Sequence, residues 1–323
     1  MDIHEIVKQR VLIMDGAMGT MIQSYNLKEG NFRNHELPDT SCSLLGNYDV
    51  LNLVRPDIIE DIHCRYLKVG TDIITTNTFN SQCISQSDYQ IADKSRDMTL
   101  AGARIARKCA DRFSAPDSPR FVAGSIGPTN KRSSCYGLSN HISVNELQDA
   151  YQEQIGALLE GGVDLLLIET ITDLENVKVA IEAAEVEMKN FGKCIPLMLS
   201  VTLDEGTGRI LAGQSLQEFL QGVASYNIFS VGLNCFRAQS MTPFLYELAT
   251  KTSYYISVCP SAGTPNRQGI FEEAVETITS QLVDFMDKRL VNIVGGCCGT
   301  SDKHILAFTN ASLGKVPHVP LRI

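Results

Sequence analysis

The sequence predicts an eightfold (β/α) barrel, a TIM barrel, on two observations. Eight short apolar, β-branched runs recur along the 323 residues, and a stretch with helical spacing follows each of them. A third observation weighs against the alternative, an open doubly wound sheet: the turn after the first run, Asp15-Gly16-Ala17-Met18-Gly19-Thr20, lacks the G-x-G-x-x-G spacing of a dinucleotide site. In order, the strands are expected at 11–14, 72–76, 120–125, 164–168, 196–201, 229–233, 254–258 and 291–294, each a short, largely apolar run of the kind a buried parallel strand shows. The helices between them are expected at 56–69, 95–112, 145–160, 174–189, 216–224, 242–250 and 272–287, with 303–312 closing the series. Segment 23–48 has no period and reads as a long loop that folds over the barrel mouth. Composition breaks nowhere strongly, so one domain over 1–323 is expected.

Composition is that of an ordinary globular enzyme, with 44% hydrophobic and 20% charged residues. A formal net charge of −9 argues against a nucleic-acid partner. The first ten residues carry both signs of charge without the apolar core of a signal peptide, and no apolar run reaches membrane-span length. Ten cysteines without an export signal fit a reducing cytoplasm.

Three of those cysteines stand apart. Cys235 ends the run Val231-Gly232-Leu233-Asn234-Cys235, while Cys297 and Cys298 sit together in Gly295-Gly296-Cys297-Cys298-Gly299-Thr300. Neighbouring cysteines strain a disulfide, whereas a metal takes both where glycine lets the backbone kink. Three thiolates at two strand ends suggest zinc with its fourth position open to water or substrate, the arrangement of a catalytic site. Cys42, Cys64, Cys83, Cys109, Cys135, Cys194 and Cys259 are read as small hydrophobes packed in the core.

On a barrel, polar residues at strand ends gather at one face. Asp15, Asn77, Glu169 and Asn234 join the three cysteines there. Glu169 emerges from an unbroken apolar strand, where a carboxylate is costly unless paired; an α-ammonium group would pair it, as would a structural partner. The glycines of the Asp15 loop could present N–H groups to a carboxylate or serve only a tight turn.

DGAMGT at 15–20, TNTF at 76–79, GPTN at 127–130, ET at 169–170, VGLNC at 231–235 and GGCCGT at 295–300 together resemble the zinc-dependent homocysteine S-methyltransferase family, in order over nearly the whole chain. With Leu45-Gly46-Asn47-Tyr48-Asp49, the N-terminal third is most similar to the homocysteine-binding domain that opens cobalamin-dependent methionine synthase. The resemblance implies Zn2+ on Cys235, Cys297 and Cys298 with the homocysteine sulfur in the fourth position. It also implies Glu169 on the substrate ammonium, the backbone of the Asp15 to Thr20 loop, with Asp15, Gly16 and Ala17, on its α-carboxylate and ammonium groups, and Asn234 and Asn77 orienting ligand or substrate. The product would be methionine.

The donor it implies is methylcobalamin on a separate corrinoid module, recharged from a folate; S-methylmethionine or betaine bound directly is the alternative. The chain departs from the methionine synthase pattern in a short loop at 131–138, in Ser301-Asp302 where Thr-Pro is common, and in having no folate, cobalamin or activation module before residue 323. A free-standing enzyme, or one piece of a split or truncated system, is therefore expected. Two other classes compete: a phosphate-binding barrel aldolase or isomerase, which a strand-end lysine would favour, and a non-catalytic homocysteine- or zinc-binding scaffold.

Overall fold

The computed structural model describes residues 2–35, 37, 40–133, 141–266, 269 and 271–321. Eight parallel strands form its sheet: β1 (Leu12–Ile13), β2 (Ile73–Thr75), β3 (Phe121–Ile126), β4 (Leu165–Ile171), β5 (Leu197–Val201), β6 (Ser230–Arg237), β7 (Tyr255–Ser261) and β8 (Ile293–Val294). Each pairs with its sequence neighbour, and β1 pairs with β8. The seam between β1 and β2 is held by a single bridge, Met14 to Ile73, with Asp72 N–H donating to Ile13 O at 2.8 Å and Asp15 N–H to Ile73 O at 3.0 Å. This is the expected barrel, and the helices follow the strands as expected, from Pro56–Lys68 to Asp302–Ser312.

Period-2 alternation divides each strand between two cores. In β4, Leu166 and Ile168 face the helix layer, while Leu165 and Leu167 join Ile73, Ala123, Met198 and Ile293 in the barrel interior. The lower end of that interior is plugged by an opening helix, Ile3–Gln9, whose Ile3, Ile6 and Val7 belong to the same cluster. Sequence reading missed this helix, although Asp2 caps it by accepting from His4 N–H. Beside the plug, Arg10 grips buried Asp72 through two 2.7 Å contacts.

Two differences from the expected elements bear on the site. β4, β6 and β7 run three or four residues further at their C-terminal ends than their apolar runs, because the extensions carry polar residues. Segment 23–48 contains short helical turns and returns to the mouth, where Tyr48 lies against Gly19. Glu29 organises it, accepting from Leu44 N–H, Leu45 N–H and the Ser43 hydroxyl. Among the described residues no helix is long and apolar enough to cross a membrane.

Candidate metal and substrate site

The inward-facing residues nearest the C-terminal ends of the strands make the floor of a cavity of about 450 Å³. Alternation supplies Met14, Thr75, Ser125, Leu167, Glu169, Ser200, Asn234, Ser257 and Cys259. The remaining expected residues, Asp15, Gly16, Ala17, Asn77, Cys235, Cys297 and Cys298, complete its walls. Every site residue singled out in the sequence therefore lines one cavity.

The three sulfurs of Cys235, Cys297 and Cys298 lie within 4.8 Å of one another. Strict alternation would turn Cys235 away, since its neighbour Asn234 already points inward. Instead the β6–β7 register breaks between Asn234 and Arg237, and Cys235 adopts φ 67°, a left-handed conformation unusual for a residue with a Cβ. That bulge re-aims its thiol into the mouth. Asn234 is fixed by the Ser200 hydroxyl, which donates to its Oδ1 at 2.8 Å, and its Nδ2 donates to Cys235 Sγ at 3.2 Å. Hydrogen bonds from Cys235 and Cys297 hold the Cys298 thiol well below the ordinary thiol range, while Cys297 is raised by its contacts to Cys235 and Cys298 and by burial.

The loops after β1 and β8 lock each other. Gly296 N–H donates to Asp15 O at 3.0 Å, Ala17 N–H to Thr300 Oγ1 at 3.1 Å and Gly299 N–H to Thr20 Oγ1 at 2.9 Å. Gly299 has φ 82°, and a Cβ there would meet Phe271 Cβ at 2.3 Å, so the cysteine pair needs glycine after it. These bonds also commit the Ala17 N–H to Thr300, leaving Ala17 as cavity wall. The Asp15 carboxylate accepts from Thr75 N–H at 2.8 Å and from the Thr75 hydroxyl at 3.0 Å. Burial nevertheless raises it to about 8, against those hydrogen bonds and with help from the Glu169 charge.

Glu169 accepts from the Ser125 hydroxyl, and burial raises it to about 7, opposed by that hydrogen bond and assisted by the charge of Cys298. No ion pair reaches it among the described residues. A second bulge follows at once, with Thr170 at φ 55° and the register broken between Ile168 and Ile171; Thr170 Oγ1 accepts from Asn234 Nδ2 at 2.9 Å. Asn77 is spent on architecture: its Nδ2 donates to Tyr48 O at 2.8 Å and to Asn52 Oδ1 at 3.0 Å, tying down the returning loop.

Sequence reading missed Ser125, Thr170, Tyr48 and Asp49, and it assigned Cys259 to packing although that thiol faces the cavity. Of the other cysteines read as core, Cys64 and Cys109 are buried, Cys42 and Cys83 are half-buried, and Cys194 is exposed, because the turn after helix Leu174–Asn190 lies at the surface. Cys135 lies outside the described residues, as does most of the short loop at 131–138.

The model of the homocysteine S-methyltransferase family matches residues 12–312. The chain belongs to that family, and it is a methyltransferase. Among solved structures it is similar to the homocysteine methyltransferase MmuM from Escherichia coli at 22% identity. The metallated form aligns with a TM-score of 0.73 over 96% of this chain and 99% of that one, and the oxidized form with 0.72 over 95% and 98%. At that identity the likeness shows the shared barrel.

Proposed function

We propose that the chain is a zinc-dependent homocysteine S-methyltransferase that forms methionine. The observation that carries this reading is the convergence of three thiols, with one side open to the cavity, beside a half-buried carboxylate that no cation among the described residues pairs. The donor set fits zinc: tetrahedral Zn–S bonds of ~2.3 Å place sulfurs about 3.8 Å apart. Cys297 and Cys298 stand at 3.9 Å already, and Cys235 and Cys297, at 2.7 Å, must separate by roughly an ångström. MmuM, the structural relative, has a metallated form.

When bound, zinc would lower the pKa of the substrate thiol so that it meets the donor as a thiolate. The residues of this chain do the positioning. Glu169 receives the substrate ammonium, and the backbone of the Gly16 to Gly19 turn, apart from the Ala17 N–H that Thr300 takes, faces its carboxylate. Asn234 holds Cys235 in its inward rotamer by the 3.2 Å hydrogen bond. Fixing both ends of a short substrate aligns its sulfur with an incoming methyl carbon.

For the donor, the lining favours a small cation bound within the cavity over methylcobalamin presented by a separate corrinoid module. Asp15, Asp49 and Glu169 line the cavity, and no Lys, Arg or His lines it among the described residues. Titrating zinc-loaded protein with homocysteine in buffers of different ionisation enthalpy tests the core of the proposal. Release of close to one proton, with strong preference over homoserine, is expected. Equal binding of homoserine without proton release would overturn it in favour of the scaffold reading.

A further inference from the structure

Two buried hydroxyls outside the cavity hold Ala17 from behind. Tyr66, on helix Pro56–Lys68, donates from its hydroxyl to Ala17 O at 3.1 Å, and Ala17 N–H donates to Thr300 Oγ1 at 3.1 Å. Both residues are fully buried, and neither lines the cavity. The hydroxyls converge on Gly16: a Cβ there would meet Thr300 Oγ1 at 2.8 Å and the Tyr66 oxygen at 2.9 Å, so the turn needs glycine to sit against them. Thr300 in turn donates to Cys297 O at 2.6 Å, which ties the same junction to the metal loop.

Peptide geometry converts those bonds into a direction. A trans peptide carries its C=O and N–H on opposite sides. With Ala17 N–H committed to Thr300, Gly16 O at the other end of that peptide points the opposite way; with Ala17 O committed to Tyr66, so does Met18 N–H. Gly16 and Met18 line the cavity, and neither Gly16 O nor Met18 N–H has a hydrogen-bond partner among the described residues. A free acceptor and a free donor, one on each side of Ala17, are groups that demand a partner. The ammonium and carboxylate on the α-carbon of an amino acid supply the complementary donor and acceptor at matching separation.

We propose that Tyr66 and Thr300 are positioning residues for the substrate: Thr300 aims Gly16 O at its ammonium group, and Tyr66 aims Met18 N–H at its carboxylate. The assignment rests on the homocysteine methyltransferase reading above, and neither residue touches substrate. Without its outer partner a peptide beside glycine rotates with little steric resistance, so each lost hydroxyl loosens the grip on one end of the amino acid. The sulfur at the metal is left alone. The same grip serves bound substrate and transition state, so its loss raises KM and keeps kcat.

The test uses the zinc-loaded full chain with Tyr66→Phe and Thr300→Val, which keep the ring and the branched shape and remove only the hydroxyl. Homocysteine is compared with 4-mercaptobutanoate, which lacks the ammonium, and with 3-aminopropane-1-thiol, which lacks the carboxylate. Tyr66→Phe should weaken homocysteine and 4-mercaptobutanoate by about three- to tenfold and leave 3-aminopropane-1-thiol unchanged. Thr300→Val should weaken homocysteine and 3-aminopropane-1-thiol by a similar factor and leave 4-mercaptobutanoate unchanged, with Thr300→Ser restoring wild-type binding. Hydroxyls that only stabilise the fold would weaken all three thiols alike or none, and either result overturns the assignment. Proton release on homocysteine binding should persist in Tyr66→Phe; its absence in wild type would count against the methyltransferase reading instead, which keeps the two failures distinct. Should Thr300→Val lose zinc or fail to fold, the Tyr66→Phe comparison decides alone.

Discussion

Replacing Glu169 by glutamine removes the proposed ammonium partner and leaves every sulfur in place. Its carboxyl, raised by burial to about 7 in the free site, must be ionised to receive a cation, so ligand and proton compete. The direction follows: affinity is full above pH 7 and falls as the pH drops through it. Between pH 8 and pH 6 the ionised fraction goes from about nine-tenths to about one-tenth, a roughly ninefold loss. At pH 8, loss of a charge-assisted hydrogen bond in a half-dry site costs on the order of 1.5–3 kcal/mol, or roughly ten- to a hundredfold in Kd. Homoserine is the ligand of choice, because it keeps the amino-acid end and brings no thiol proton. Calorimetry on zinc-loaded protein at pH 6, 7 and 8 should give a sloped profile for wild type and a flat, weaker one for Glu169→Gln. Homoserine affinity that ignores pH in wild type, or equal affinities in the two proteins, would refute the pairing and leave Glu169 as a rim carboxylate held by Ser125.

Metal analysis of Cys235→Ala, Cys297→Ala and Cys298→Ala should show loss of zinc in each with the barrel intact; full retention in all three would remove the site. Asn234→Ala should weaken zinc by roughly ten- to a hundredfold in chelator competition, because Cys235 loses its orienting donor; an unchanged affinity would make the 3.2 Å contact incidental. His63 is fully buried with neither ring nitrogen hydrogen-bonded among the described residues, and burial lowers it from 6.5 to about 4. Its folded pKa lies below its unfolded one, so the unfolded state takes the proton first and stability present above pH 6.5 is lost on the way to pH 4, about 2 kcal/mol of it by pH 5. Urea melts should show that loss in wild type relative to His63→Leu, and parallel pH slopes in both would contradict it.

The barrel was legible because its eight strands are buried on both faces and therefore read as short, largely apolar runs, while each helix shows its own period. What failed to register was whatever broke those rules. The plug helix Ile3–Gln9 is too short for its period to stand out, and its task is visible only once the strands close above it. The extensions of β4, β6 and β7 carry polar residues, so hydropathy ended each strand early. Those extensions build the site.

The site itself was legible by residue type more than by role. The cysteines beside glycines pointed to the thiol cluster that the fold brings together, and Glu169 stood out by following Leu165 and Leu167 in the inward register. Asn77 lines the cavity, yet its donors serve Tyr48 and Asn52, a use no local pattern encodes because its partners are about 25 to 29 residues away. The deciding backbone feature was hidden for a related reason. Thr170 and Cys235 both hold left-handed conformations that neither residue prefers, each costing on the order of 1–3 kcal/mol, and both fall at register breaks facing one another across β5. Asn234 bridges them, donating to the oxygen of one and the sulfur of the other. Two strained residues tied by one amide are over-determined by the surrounding strands, so the inward aim of Cys235 is set before any metal arrives. A backbone built in this way spends folding energy on ligand geometry, which is where an enzyme that must hold a substrate sulfur in line gains from it.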